Sequence, residues 1–202
     1  MTLRKRGAWI LVIFALVPGL AAAPAAFAEP STEHMRGAAL LAPFKANLQE
    51  ALRSGLAEGA IEAVGACRIR APEIANDLSR NGIRVGRSSD RLRNPANAPP
   101  DWVRPLLDGF AAEPADRTPK SHALPDGQVG YVEPIVTQPL CLTCHGDAIE
   151  PELAARIASL YPEDRAVGFR AGDLRGVFWV EFPSGESTEN STPSQAPRSR
   201  SE

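Results

Sequence analysis

Sulfur and imidazole are scarce in this 202-residue chain, which has three cysteines, two methionines and three histidines. That scarcity confines any metal or redox chemistry to a handful of nameable groups. Long hydrophobic runs are scarce too. The uninterrupted apolar run, Ala8 to Val17, is roughly half of the ~20 residues a membrane-spanning helix needs. No basic patch interleaved with aromatics is present, and the formal charge is −2, so nucleic-acid binding is not expected. There is no internal repeat. No kinase, methyl-accepting or DNA-binding region is recognisable after the last apolar segment, so a signal, were the protein to carry one, is expected to go through a separate partner.

What is present at the N-terminus reads as a targeting segment. Arg4-Lys5-Arg6 precedes the apolar run, Pro18-Gly19 breaks it, and Ala26-Phe27-Ala28 ends in an A-x-A pattern before Glu29. A cleaved signal peptide over 1–28 is expected, with a periplasmic or secreted product. The rival reading is an uncleaved anchor, because no charge lies between Arg6 and Glu29. With the leader gone, no membrane span remains and the chain becomes more acidic. From Pro183 to Glu202 the composition has almost nothing to bury, so 183–202 is expected to be a disordered tail. One folded domain, 29–182, lies between.

Within that domain, Leu40, Leu41, Phe44, Leu48, Ala51 and Leu52 recur at helical spacing and predict a helix over 32–54. A shorter helix is expected over 58–67 and another over 72–79, opened by Pro72. Residues 83–87 alternate like a strand. Asp101 is placed to cap a helix carrying Trp102, Val103, Leu106, Leu107 and Phe110. Asp126-Gly127 marks a hairpin between strands at 121–124 and 129–136. A helix over 152–160 and a final hairpin of 167–170 with 176–182 complete the reading. The class is α+β, with about five antiparallel strands and with N-terminal and flanking helices.

The chemistry concentrates at Cys141-Leu142-Thr143-Cys144-His145. Two thiols three residues apart suit thioether bonds to the vinyl groups of haem, and the following imidazole reaches the iron from the same face. This pattern is the c-type attachment motif. It predicts one covalently attached haem c held by Cys141, Cys144 and His145. Three alternatives use the same residues: a Cys3His zinc site that adds Cys67, a thioredoxin-like dithiol, and a plain disulfide. Pro151 separates the motif from the next helix, which does not suit the dithiol fold context.

The opposite side of the iron has few candidates. Outside the leader these are Met35, His34, His122, Lys45, Lys120 and Cys67. Cys67 is the odd thiol, followed by Arg68 and Arg70, whose charges would favour a thiolate if they point toward it. The residues alone leave Cys67, a small buried hydrophobe at that position, and an open sixth site all standing.

The stretch from Cys67 to Phe182 resembles a family of single-haem c-type proteins with a PAS-like fold, the Tll-like haem domain. The matching residues are Cys67-x4-Pro72, Arg87-Ser88-x4-Arg93-Asn94-Pro95-x-Asn97, and Tyr131-x2-Pro134-Ile135. They continue with Cys141-Leu142-x-Cys144-His145-Gly146, Tyr161-Pro162-x-Asp164-x-Ala166-x-Gly168, and Gly172-Asp173-x-Arg175-Gly176. The resemblance implies that Cys67 is the second axial ligand opposite His145. Phe169 stands where the family usually has tyrosine. Arg87 and Arg93 are candidates to pair with the haem propionates, and Asn94-Pro95 with Asn97 suits a turn.

Three functions fit these features: a redox- or gas-responsive haem module with His/Cys ligation, a periplasmic electron-transfer carrier, and a small haem enzyme acting on peroxide. The sequence shows no distal His–Arg pair with an open iron, so an enzyme is not expected. A redox or signalling protein partner is.

Overall fold

The computed structural model describes residues 31–185; the expected leader and all but the start of the expected tail lie outside them. Ser31 opens the fold by accepting a hydrogen bond from the His34 amide at 3.2 Å, the side-chain cap a helix start needs. Helix α1 (Thr32–Glu58) follows and buries Leu41 and Phe44. Gly59, at φ 137° and ψ 154°, turns the chain sharply into α2 (Ala60–Leu78). That backbone region is almost exclusive to glycine, and it lets α2 fold back along α1.

Two separate helices were expected over 58–67 and 72–79. Both belong to α2, and Pro72 lies inside it. The Pro72 ring is exposed, while Ala63, Val64, Ala71 and Ile74 form one buried stripe that runs past it. Burial of that stripe outweighs the hydrogen bond that proline removes. Cys67 therefore sits mid-helix, four residues from both Ala63 and Ala71, rather than at a helix end.

The remaining elements are β1 (Arg84–Ser88), α3 (Arg104–Ala112), β2 (Lys120–Ala123), β3 (Val129–Val136), α4 (Leu142–His145), α5 (Pro151–Leu160) and β4 (Leu174–Phe182). Asn94 accepts from the Ala96 amide at 3.0 Å and builds the expected turn. Helix α3 starts later than expected, with Pro105 in its first turn, so Asp101 is not its cap. Asp126 and Gly127, at φ 57° and 74°, form the connection between β2 and β3.

The sheet is antiparallel with order β1-β4-β3-β2. Four strands form among the described residues, not five. The missing one is 167–170, expected to pair with β4. Its amides are spent elsewhere: Gly168 and Phe169 donate to the carbonyls of Gly146 and His145, and Arg170 donates to Asp173. β4 pairs with β1 and β3 instead.

Helices α1 and α2 cover one sheet face, packing Leu41, Phe44 and Ile74 against Val85, Tyr131, Phe178 and Val180. Helix α3 covers the other with Val103, Leu107 and Phe110 against Val132, Val177 and Trp179. A third apolar cluster joins α2 to α5 through Val64, Leu153 and Ile157, with Cys144 and Tyr161 packed on it. That cluster brings the cysteine of α2 to the motif of α4. Among the described residues no helix is long and apolar enough to cross a membrane.

Candidate functional site

A 3-10 turn at Pro139–Cys141 leads into the single turn of α4, which sets Cys144 three residues after Cys141 and His145 directly behind it. All three cysteines are free thiols. Gly146 has an ordinary φ of −70°, so the turn away from the motif needs no left-handed backbone. The constraint is space: a Cβ there would lie 2.7 Å from the Leu142 carbonyl oxygen.

His145 is held from one side. Its Nδ1 lies 2.7 Å from the Ala166 carbonyl oxygen, an acceptor only, so Nδ1 carries the proton and donates. Burial, then the nearby charges of Arg175 and Arg93, push the imidazole pKa down to about 2 against the pull of that carbonyl. The ring is therefore neutral at ordinary pH, with the Nε2 lone pair open to a metal. Phe169, 2% exposed, meets the imidazole edge-on at 6.2 Å and 90°. The Arg91 guanidinium stacks over the Phe169 ring at 3.5 Å.

The segment carrying Ala166 is tied down by a buried ion pair. Arg93 Nε donates to Asp164 at 3.1 Å, and the two side chains are 13% and 9% exposed. Arg93 also donates to the carbonyls of Cys144 and Ala166. The second Asp164 oxygen accepts from the Ala166 amide at 2.8 Å. Arg91 donates to the Val167 carbonyl at 2.7 Å. One arginine thus links the end of the CxxCH motif to the strap that orients its histidine.

Cys67 approaches from α2 and lies near enough to Cys144 for their charges to couple. Burial raises the Cys67 thiol pKa, and Arg87 and Arg93 draw it back down. These are not the arginines that its sequence neighbours suggested. Arg68 and Arg70 are exposed, and Arg70 pairs with Glu73. The other candidate ligands lie elsewhere or are engaged. His34 packs edge-on against Tyr131 at 5.0 Å, Met35 is 54% exposed, and His122 is exposed on β2. Lys45 pairs with Glu133, and Lys120 with Asp116 at 3.0 Å.

Among the described residues no three His, Cys, Asp or Glu side chains are arranged to hold a metal ion, the arrangement a Cys3His zinc site requires. The antiparallel sheet also lacks the βαβ context of a thioredoxin-like dithiol.

Four contributors went unrecognised in the sequence reading: Asp164, the Ala166 carbonyl, the ring clasp at Phe169, and Arg175. Burial, then the charges of Arg87 and Arg93, lower the Arg175 guanidinium to about 10. Their matching motif residues were visible in the chain, but nothing local linked them to the histidine.

Comparison with known proteins adds three findings. The Tll0287-like family model matches residues 30–183. A solved structure, described as the crystal structure of the cyanobacterial heme-protein Tll0287, superposes with a TM-score of 0.59 at 27% identity. The match covers 72% of this chain and 91% of that one. The search of curated proteins finds no match.

Proposed function

The chain belongs to the Tll0287-like family, and from that premise we propose that it is a haem-binding protein carrying one covalently attached haem c. The similar solved structure is itself described as a heme-protein. The observation that carries the reading is His145, neutral and donating through Nδ1 to Ala166, with Nε2 left as a ligand. The donor set fits the group. Cys141 and Cys144 are free thiols in the attachment spacing, and Arg93 and Arg175 act on them while Arg87 acts on Cys67, cations that could meet the anionic groups of a haem.

In this reading Cys67 would hold the iron together with His145, and the fold is of the PAS-like kind that the resemblance implies. A bound iron favours the thiolate over the thiol, reversing the effect of burial on Cys67. Thiolate donation stabilises ferric iron, where methionine ligation would raise the potential. Held by His145 and Cys67, the group would supply a low-potential centre, which suits a redox- or gas-responsive module exported to the periplasm and read by a partner protein.

Visible spectra of the purified protein, oxidised, reduced and CO-exposed, test this function. A responsive module changes its spectrum under CO on reduction. A spectrum with six ligands in both oxidation states and no CO response assigns the protein to simple electron transfer instead.

A further inference from the structure

Three guanidinium groups converge on the CxxCH site, those of Arg87, Arg93 and Arg175. Arg93 donates to the Cys144 carbonyl, Arg175 lies beside the Phe169 ring that packs edge-on against His145, and Arg87 is near enough to Arg93 for their charges to repel. Their hydrogen bonding divides them sharply. Arg93 is neutralised by Asp164 and spends further donors on the Cys144 and Ala166 carbonyls. Arg87 leaves β1 on the face that carries Val85, half-buried, and its guanidinium has no hydrogen-bond or ion-pair partner among the described residues. Arg175 is the second residue of β4, where Ser89 donates to its carbonyl at 2.7 Å. Its guanidinium has one long contact, 3.5 Å to the Arg91 carbonyl, and lies 5.0 Å from the Phe169 ring. Asp164 pairs with Arg93 and also acts at longer range on Arg175, and no carboxylate is among the groups acting on Arg87.

Half-buried like charges are costly unless an anion compensates them. Arg93 is balanced by Asp164 and Arg91 is spent on the Phe169 ring and the Val167 carbonyl, whereas the guanidinium groups of Arg87 and Arg175 have no ion-pair partner among the described residues, and haem carries two propionates. On the haem reading, we propose that Arg87 and Arg175 receive the propionates and that Arg93 does not. Arg93 is a positioning residue, acting through the Ala166 strap on His145. Arginine suits the receiving role because its planar fork can donate two parallel hydrogen bonds to one carboxylate. This assignment differs from the Arg87 and Arg93 pair that the sequence suggested, because Arg175 lies 82 residues after Arg93 and nothing local marks its approach.

The test is resonance Raman spectroscopy of the haem-loaded protein, reading the propionate-bending band, which moves to lower frequency when a propionate loses hydrogen bonds. Arg87→Gln and Arg175→Gln are each expected to lower that band, and the double variant to lower it further. In Arg93→Gln the band stays at the wild-type position. Arg87→Lys and Arg175→Lys, which keep the charge and lose the fork, give smaller shifts and serve if the glutamine variants do not fold. An unmoved band in the Arg87 and Arg175 variants, or an equal shift in Arg93→Gln, overturns the assignment. Wild-type protein without covalent haem would overturn the parent reading instead, so the two failures are distinct.

Discussion

The Nδ1 atom of His145 lies 2.7 Å from the carbonyl oxygen of Ala166, a residue 21 positions further along the chain. That bond fixes which ring nitrogen carries the proton and which way the other one faces. It is held in place by Asp164, whose two oxygens bind Arg93 and the Ala166 amide.

Removing Asp164 should therefore cost more than a surface carboxylate would. Asp164→Ala leaves the buried Arg93 charge unpaired and the strap without its anchor, so a loss of about 3–5 kcal/mol is expected. Asp164→Asn retains an oxygen for the Ala166 amide and should lose less. Urea unfolding of the two variants checks the order.

Phe169 is buried against His145 and clasped by Arg91. Truncation to alanine should destabilise the fold by about 3–5 kcal/mol, the usual range for a buried aromatic. It should also free the imidazole to rotate. Denaturation measures the first effect, and the electron paramagnetic resonance of the ferric protein measures the second as a broadened low-spin signal.

The His145 shift makes a pH prediction for the haem-free chain. The unfolded imidazole takes up its proton near pH 6.5, while the folded one does so at about 2. Between those values the unfolded state binds the extra proton, so stability is full above about pH 6.5 and falls as pH drops. The slope is about 1.4 kcal/mol per pH unit. Carboxylates add their own dependence below about pH 5, so the window from 6.5 to 5 isolates the histidine. Unfolding midpoints across that window should fall for the wild type and stay level for His145→Gln.

How much of this was legible in the sequence follows from how local each signal is. The CxxCH motif spans five adjacent residues, and the helical stripe of α1 and the Asp126-Gly127 connection are equally local, so each could be read directly. Pro72 misled because a single-residue rule was set against a buried stripe, Ala63 to Ile74, whose partners lie in other elements. Residues 167–170 misled because a short alternation does not reveal where backbone amides will go, and here they go to α4. The arginines around the site were the least legible. Arg93 reaches the Cys144 carbonyl 51 residues away, while Arg68 and Arg70, next to Cys67 in sequence, face solvent.

Cys67 lies beside the motif in the structure and is the axial ligand that the family resemblance implies. Cys67→Ala should shift the ferric Soret band and convert low-spin iron to a form with an open position. An unchanged Soret band would remove Cys67 from the coordination sphere.

The most direct test of the central claim is the pyridine haemochrome spectrum of the purified full chain after acid-acetone extraction. Haem bonded through Cys141 and Cys144 stays with the polypeptide and gives the c-type band. Colour that leaves entirely with the solvent, or protein that carries no haem at all, would contradict the account.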